Sequence, residues 1–513
     1  MNNFLKIYFW QIISFAFNFS TLFIVTPFLS KQPNLYGIYI IITSGYLFIS
    51  YADFGFLSAG MKYSSEYFAQ NNLKQEVEMI GFTTSIFLFF SLIYAIGVFL
   101  ISFNPTFLIK SLTNQIEIGI SRKLLLILCL STPIIVFQRI IQIIFGIRLK
   151  DYVFQRVLIF SNLIKIISTF FFFSYGKYMI VEYFLFSQIC LLFSVIFGFI
   201  LLKRKFNYNI FLFFKNIKFS KKYYNISRKL AYTSIFLTIS WILYYELDTF
   251  AIAKFFGVNS VAIYAIGLTI ITYFRSLFGI IFTPFIAKFN HFVGLNDRDG
   301  LKLFFIKVVV LFFPLTVFPV LTIYLSVDNF ILSWVGHKYS SSISIAAVLV
   351  LTYIFSFITY PSGILVMANE RVKALYFTSA IQPIIFWTGI LLTKNILGLE
   401  SFAYFKLLAI FIETIIYTII VINFLDTNVI NLIKQVFLPT ILPTSVIIIL
   451  LYIIKPYLPN SISKANLIYY FVTIGLINLI GIITYYFTSK DFKGYSNNLM
   501  TNIFQRFKAS KLI

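Results

Sequence analysis

In 158-LIFSNLIKIISTFFFF-173 apolar residues run on both sides of a single lysine, Lys165. The stretch has the composition of a helix crossing a bilayer. A Lys at the bilayer centre costs about 2.5–3.5 kcal/mol on insertion scales, so a helix that only had to span would not carry one. Something must compensate it: a partner acid, a water-filled cavity or an anionic ligand.

The rest of the chain has the same character. Of its 513 residues 60% are hydrophobic and only 11% charged, where a soluble domain has about a quarter charged; mean hydropathy is +0.91. The expected class is therefore an all-α polytopic membrane protein. Phe (66) and Tyr (34) are abundant beside many Ile, Asn and Lys, a joint excess that AT-rich codons produce, so the aromatic count carries no functional signal.

Apolar runs of about 20 residues mark spans. They start near Trp10, Ile38, Ile80, Leu124, Val157, Tyr178, Ala231, Val261, Val308, Ile345, Leu375, Phe402, Val436 and Leu467, fourteen in all. MNNFLKIYFW and the apolar run after it lack a small-residue cleavage site and read as a retained first span. With the N-terminus inside, 27 of the 41 Lys and Arg fall in inside segments and 10 in outside loops. That bias predicts both termini on the cytoplasmic side. It also gives the formal charge of +24 a topological meaning rather than a nucleic-acid partner. Cys129 and Cys190 sit in separate apolar runs and His291 and His337 in separate loops, so neither a disulfide framework nor a metal site is expected.

The longest basic loop, 203-KRKFNYNIFLFFKNIKFSKKYYNISRKL-230, holds nine Lys and Arg and divides spans 1–6 from spans 7–12. It reads as a linker between halves, or equally as a surface anchor for anionic headgroups. The halves echo one another: FLSKQPNLYGIYIIITS (28–44) and IAKFFGVNSVAIYAIGLT (252–269) each run from a Lys through a short turn to a small residue, Ile and Tyr. Six helices separate the copies, which implies a parallel repeat with a substrate site between halves near mid-bilayer. The expected segments are a first six-helix bundle (1–202), the basic linker (203–230), a second bundle (231–425), two added helices (426–489) and a basic tail (490–513).

Polar residues mark helix faces. Span 1 carries Gln11, Ser14, Asn18 and Thr21, and span 7 carries Ser234, Thr238, Trp241, Tyr245 and Asp248, all at steps of three or four. Such stripes line a cavity or supply interhelical hydrogen bonds. The ionisable residues in or near spans are Asp53, Arg139, Lys165, Glu246, Asp248, Arg275, Lys406 and Glu413. Lys165, Arg275 and Glu413 lie near mid-span, with Arg139 a little towards the cytoplasm beside Gln138 and Gln142. Three deep cations against one deep acid suit an anionic substrate, and Arg suits bidentate phosphate contact. The competing reading pairs them, Lys165 with Asp53 or Arg275 with Glu413. Asp53, Glu246, Asp248 and Lys406 lie nearer span ends, where capping or snorkelling accounts for them.

The segment 35-LYGIYIIITSGYLFISYADFGFLSAGMKYSSEY-67 resembles the Tyr-Gly-x-Tyr and Asp-x-Gly-x6-(Lys/Arg)-Tyr pattern of bacterial polysaccharide exporters. These are flippases for undecaprenyl-pyrophosphate-linked O-antigen and capsule repeats, in the multidrug/oligosaccharidyl-lipid/polysaccharide superfamily. The stretches 245-YELDTFAIAKFFGVNSVAIYAIGL-268 and 363-GILVMANERVKALYF-377 are similar to its second-half motif and to the loop after its tenth span. The likeness covers spans 1–12. It implies two pseudo-symmetric six-helix bundles around a central cavity open alternately to each side, with the last two helices as an appendage.

Asp53, Gly55 and Lys62 match the family's span 2 motif, and Asp248 and Tyr264 its second-half motif. The resemblance implies no enzyme activity, cofactor or nucleic acid. It implies a lipid-linked oligosaccharide substrate in the bacterial inner membrane, with a polysaccharide polymerase and a chain-length regulator as partners. A proton or sodium ion is the expected driver, with Asp53, Asp248 and Glu413 as candidate carriers. Two relatives fit less well. Lipid II flippases have fourteen spans but an Arg-rich first helix, and span 1 here, WQIISFAFNFSTLFIVTPFLS, has no Arg. Cation-coupled multidrug antiporters use an acid in that helix, where Gln11, Ser14 and Asn18 are neutral. A membrane-embedded polymerase or glycosyltransferase is disfavoured, because the longest outside loop, 103–123, holds only Glu117 as an acid.

Overall fold

A computed structural model describes residues 3–498 and 501 of the chain, apart from 111, 113, 175, 284, 369–371 and 427–432. Every regular element among them is helical. Eleven helices are long and apolar enough to cross a bilayer, and three further pairs bent at a short break bring the number to fourteen. Each corresponds to one apolar run of the sequence, so the chain is a multi-pass membrane protein. The centre of the 363–377 motif and much of the 490–513 tail lie outside the described residues.

The chain divides into two compact units, Met1–Ala265 and Ile266–Ile513. The first contains α1 (Asn3–Leu29), α2 (Pro33–Tyr51), α3 (Phe56–Ala69), α4 (Leu73–Phe103), α5 (Gln115–Ile147), α6 (Asp151–Phe172), α7 (Ile180–Phe206), the short α8 (Ile210–Lys215), α9 (Lys221–Trp241), α10 (Asp248–Phe255) and the start of α11 (Val258–Phe282). Asparagines start several helices: Asn72 accepts from Gln75 N, Asn114 from Ile116 N and Asn209 from Leu212 N, satisfying donors that a helix start leaves unpaired.

Helix α5 is central, packing on α4, α7 and α2, while α1 lies along α6 and α3 along α4 and α9. Ile140, Ile144 and Phe145 of α5 meet Phe154 of α6 and Leu202 of α7 in one buried cluster. The outer face of α4 exposes Phe89, Leu92, Ile96 and Leu100, which is where lipid replaces water as the neighbour.

Span 2 is broken. Phe54 (φ 46°) and Gly55 (φ 75°) are both left-handed, and α2 and α3 diverge by 45° across them. The Asp53 carboxylate accepts from Leu57 N at 3.0 Å and so caps the second half-helix. A Cβ on Gly55 would stand 2.4 Å from Ser234 Cβ and 2.8 Å from Ala231 O of α9, so α9 packs directly on the break. Gly55→Ala is expected to destabilise by about 2–4 kcal/mol, through left-handed strain and overpacking together. An unchanged thermal unfolding curve in detergent would contradict this. The Tyr-Gly-x-Tyr motif has a similar basis, since a Cβ on Gly37 would lie 2.3 Å from the Val258 carbonyl oxygen at the start of α11.

Span 7 departs from regular α-helix. A π-helix occupies Ile242–Glu246, and α10 leaves the axis at 45°. Ser234, Thr238 and Trp241 precede the π-helix on regular α9, so only the later part of the expected stripe is displaced. Ser234 packs on the Gly55 break, Trp241 and Tyr245 stack with ring centroids 4.2 Å apart, and Asp248 turns inward, fully buried. A π-turn carries more residues per turn than an α-turn, so positions after it rotate out of register.

The second unit holds the rest of α11, then α12 (Phe285–Gly294), α13 (Arg298–Leu325), α14 (Val327–Trp334), α15 (Ser342–Leu351), α16 (Ser356–Ala368), α17 (Val372–Leu397), α18 (Glu400–Leu425), α19 (Ile441–Ile454) and α20 (Lys464–Thr488). Helices α15 and α16 form its bent pair, at 48°. The last two spans pack on each other and on α13. Tyr470 and Ser326 share a hydrogen bond of 2.8 Å, and Asn478 donates to Thr322 at 3.1 Å.

Candidate functional site

Lys165 stands in a cavity of about 480 Å³ inside the first unit. Helical spacing builds the wall: Gln155, Asn162 and Lys165 share a face of α6, Gln138 and Gln142 are one turn apart on α5, and Ser14 and Asn18 one turn apart on α1. Tyr39, Thr43 and Tyr46 of α2 and Gln188 of α7 complete it. Asn162 donates to Asn18 at 2.9 Å and Tyr46 to Gln138 at 3.2 Å. These bonds hold amides in place around the lysine.

Three groups there remain available. The oxygens Oε1 of Gln155 and Gln188 are buried without a hydrogen-bond partner among the described residues. Among the described residues the Lys165 ammonium has neither an acid within ion-pair distance nor a hydrogen-bond acceptor. Asp53, one of the acids considered for it, instead caps α3. Buried polar groups are nearly always paired, so an ammonium donor and two amide acceptors without partners around one space mark it as a polar cavity able to take a group that both accepts and donates hydrogen bonds.

A second cavity, of about 560 Å³, shares Gln142 and Gln155 with the first and extends towards the α5–α6 turn. Arg139 lines it, but so do Asp53 and Asp151, and Thr238 of the span 7 stripe reaches it. Arg139 is thus a cation among carboxylates, unlike Lys165. Gln11 is half-buried on α1 and lines neither space.

Asp248 receives a hydrogen bond from the Tyr264 hydroxyl at 2.8 Å and another from Thr249 N at 2.8 Å. The two motif residues are therefore direct partners, both fully buried. Tyr264→Phe is expected to cost about 1.5–3 kcal/mol, because it removes a donor from a buried carboxylate; thermal unfolding reads it, and no loss would refute the pairing's weight. Glu246 accepts from Tyr51 at 3.5 Å.

In the second unit Glu413 of α18 is buried and accepts from Gln382 of α17 at 2.7 Å. Thr414 bonds Thr359 at 3.0 Å and Thr378 donates to Tyr417 at 3.3 Å, so a polar cluster joins α16, α17 and α18. Arg275 lies half-buried on α11, where its carbonyl accepts from Tyr360 at 3.4 Å. Lys406 is 1% exposed, its ammonium 5.3 Å from the Phe386 ring centre; burial rather than snorkelling describes it.

Sequence reading missed Gln155, Asn162 and Gln188 as wall residues. The spacing of Gln155, Asn162 and Lys165, two turns and then one, was visible, but an amide counts as polar only weakly beside so many apolar neighbours.

No family model matches this sequence, and no curated protein matches it. Solved structures do. The lipid II flippase MurJ in an inward closed conformation superposes with a TM-score of 0.67 at 18% identity, over 95% of this chain and all (100%) of that one. An inward-facing multidrug resistance MATE family transporter of the MOP superfamily gives 0.59 at 12% identity, over 83% of this chain and 99% of its own. A MOP superfamily transporter from Pyrococcus furiosus, reported with a binding pocket of reverse polarity, gives 0.58 at 12% identity over 83% and 96%. At such identities the likeness establishes the fold: this chain folds as these transporters do.

Proposed function

We propose that this protein, built on the fold of the transporters above, is a flippase. It carries undecaprenyl-pyrophosphate-linked oligosaccharide repeat units across the bacterial inner membrane by alternating access, for O-antigen or capsule assembly. The observation that carries the reading is Lys165, open to a cavity walled by amides and hydroxyls. Its ammonium supplies three donors to a pyrophosphate oxygen or another anionic group. Amides both donate and accept, so Gln138, Gln142, Gln155, Asn162 and Gln188 match the mixed donors and acceptors of sugar hydroxyls. The polyprenyl chain stays in lipid, where no polar partner is needed.

The likeness to a lipid II flippase over nearly the whole chain supports a lipid-linked substrate. A proton or sodium ion drives the cycle, with Asp53, Asp248 and Glu413 as carriers; among them Glu413 is the acid held by an amide rather than committed to a helix cap or a tyrosine. Both termini lie in the cytoplasm, and a polymerase and a chain-length regulator receive the product.

The test is deletion in the native bacterium with a leaflet-resolved assay of lipid-linked oligosaccharide. Repeats trapped on the cytoplasmic face with loss of surface polymer support the flippase. Persisting surface polymer with new sensitivity to cationic dyes replaces it with the multidrug antiporter, in keeping with the multidrug resistance MATE family transporter of similar fold.

A further inference from the structure

A third cavity, of about 700 Å³, opens where the α3–α4, α5–α6 and α7–α8 turns meet. Each of these turns contains a left-handed residue, Asn71 (φ 57°), Leu149 (φ 51°) and Asn207 (φ 49°). They bring Lys74, Arg148 and Lys150 to one space, with Glu76 as its one acid among the lining residues. Arg148 consumes that acid: its Nη1 lies 2.7 Å from Glu76 Oε1 and its Nη2 donates to Oε2 at 3.1 Å. Nη1 also donates to the Ile144 carbonyl at 3.0 Å. Two of the five guanidinium donors thus make hydrogen bonds, the 2.7 Å contact is an ion pair, and Nε–H and one Nη2–H have neither kind of partner among the described residues.

Tyr208 supplies a second, independent observation. The residue is 5% exposed, and its hydroxyl is buried without a hydrogen-bond partner among the described residues. Burial, reinforced by the neighbouring Glu76 carboxylate, pushes that hydroxyl above its ordinary value, so it remains a donor. Open donors from Arg148 and Tyr208, two lysines and the amides of Asn71 and Asn207 converge without a competing free acid.

We propose that this pocket binds a phosphate-bearing ligand, either the headgroup of an anionic lipid or free phosphate, at a site separate from the Lys165 cavity. Surroundings on the chain favour the lipid. Phe211 and Phe214 of α8 are 80% and 47% exposed while Phe213 is fully buried beneath them, and Leu73 and Leu149 are exposed at the turns. An apolar rim around a cationic pocket suits a headgroup whose tails continue into the bilayer.

The full chain in neutral detergent tests it, by native mass spectrometry of retained phosphatidylglycerol against phosphatidylcholine, with and without millimolar inorganic phosphate. The parent should prefer phosphatidylglycerol, and Lys74→Gln/Lys150→Gln should lower its retention about tenfold or more. Tyr208→Phe should lower it severalfold without loss of thermal stability, since that hydroxyl bonds no other described residue. Displacement by inorganic phosphate, lost in the same variants, supports the pocket and assigns free phosphate as the ligand; resistance to it assigns the lipid. Lys203→Gln/Arg204→Gln, in the exposed last turn of α7, is the control. Equal loss in the control, equal retention in the lysine double variant, or no preference in the parent overturns the proposal.

Discussion

Lys165→Ala should insert and fold normally, lose transport by about thirtyfold or more, and melt no earlier than the parent. On the proposed function, the transport loss follows from removing a cation whose contact with an anionic substrate group in a low-dielectric cavity would be worth about 2–4 kcal/mol. The stability expectation has a separate origin. Lys165 has no acid partner among the described residues, so the folded protein bears its desolvation cost without an internal ion pair to offset it. Removing it therefore relieves a cost, and the melting temperature should hold or rise. Lys165→Arg keeps the charge but changes its shape and should retain part of the activity. Leaflet-resolved flipping and thermal unfolding measured on the same preparations separate the cases. Full transport by the alanine variant would remove the anion site, and a large fall in melting temperature would show that Lys165 is structural.

The second large effect lies where the α3–α4 and α5–α6 turns meet. Glu76→Ala should destabilise by about 3–5 kcal/mol, because it strands a buried guanidinium. The pair is enclosed: Glu76 is fully buried, the Arg148 side chain is 6% exposed, and their atoms approach to 2.7 Å. Phe68, Tyr208 and Phe206 rings lie 4.8, 5.1 and 5.6 Å from the Arg148 guanidinium carbon, so most of the cation faces aromatic rings rather than water when the carboxylate is lost. Glu76→Leu with Arg148→Leu should recover most of the loss, since apolar residues of similar volume substitute for buried pairs at little cost. Thermal unfolding of the two variants checks it; a double variant as unstable as Glu76→Ala would mean that the pair contributes something other than mutual neutralisation.

Neither the Glu76–Arg148 pair nor its aromatic walls could be read along the chain. Glu76 and Arg148 stand 72 positions apart, at span ends where charges are ordinary and call for no partner. Lys165 was conspicuous for the opposite reason, since a charge amid sixteen mostly apolar residues has no ordinary explanation. Half of the span 1 stripe was legible too: Ser14 and Asn18 line the Lys165 cavity as their one-turn spacing suggests. In span 7, Thr238 lines a cavity, while the π-turn at Ile242–Glu246, which no spacing of polar residues announces, changes the register before Asp248. Likewise Arg139 looked like a partner of Lys165 in one cationic site, and only the packing of α3 and α6 against α5 brought Asp53 and Asp151 beside it.

The sequence by itself determined that the chain crosses the membrane and where each of its fourteen spans lies. Transfer into lipid is a sum over about twenty consecutive residues, and adjacent residues carry all the information it needs. Which charges stand open and which are paired was decided only by the tertiary structure. Pairing depends on distances of a few ångströms between helices that are remote in sequence, and those distances depend on close approaches such as Gly37 on Val258 and Gly55 on Ser234.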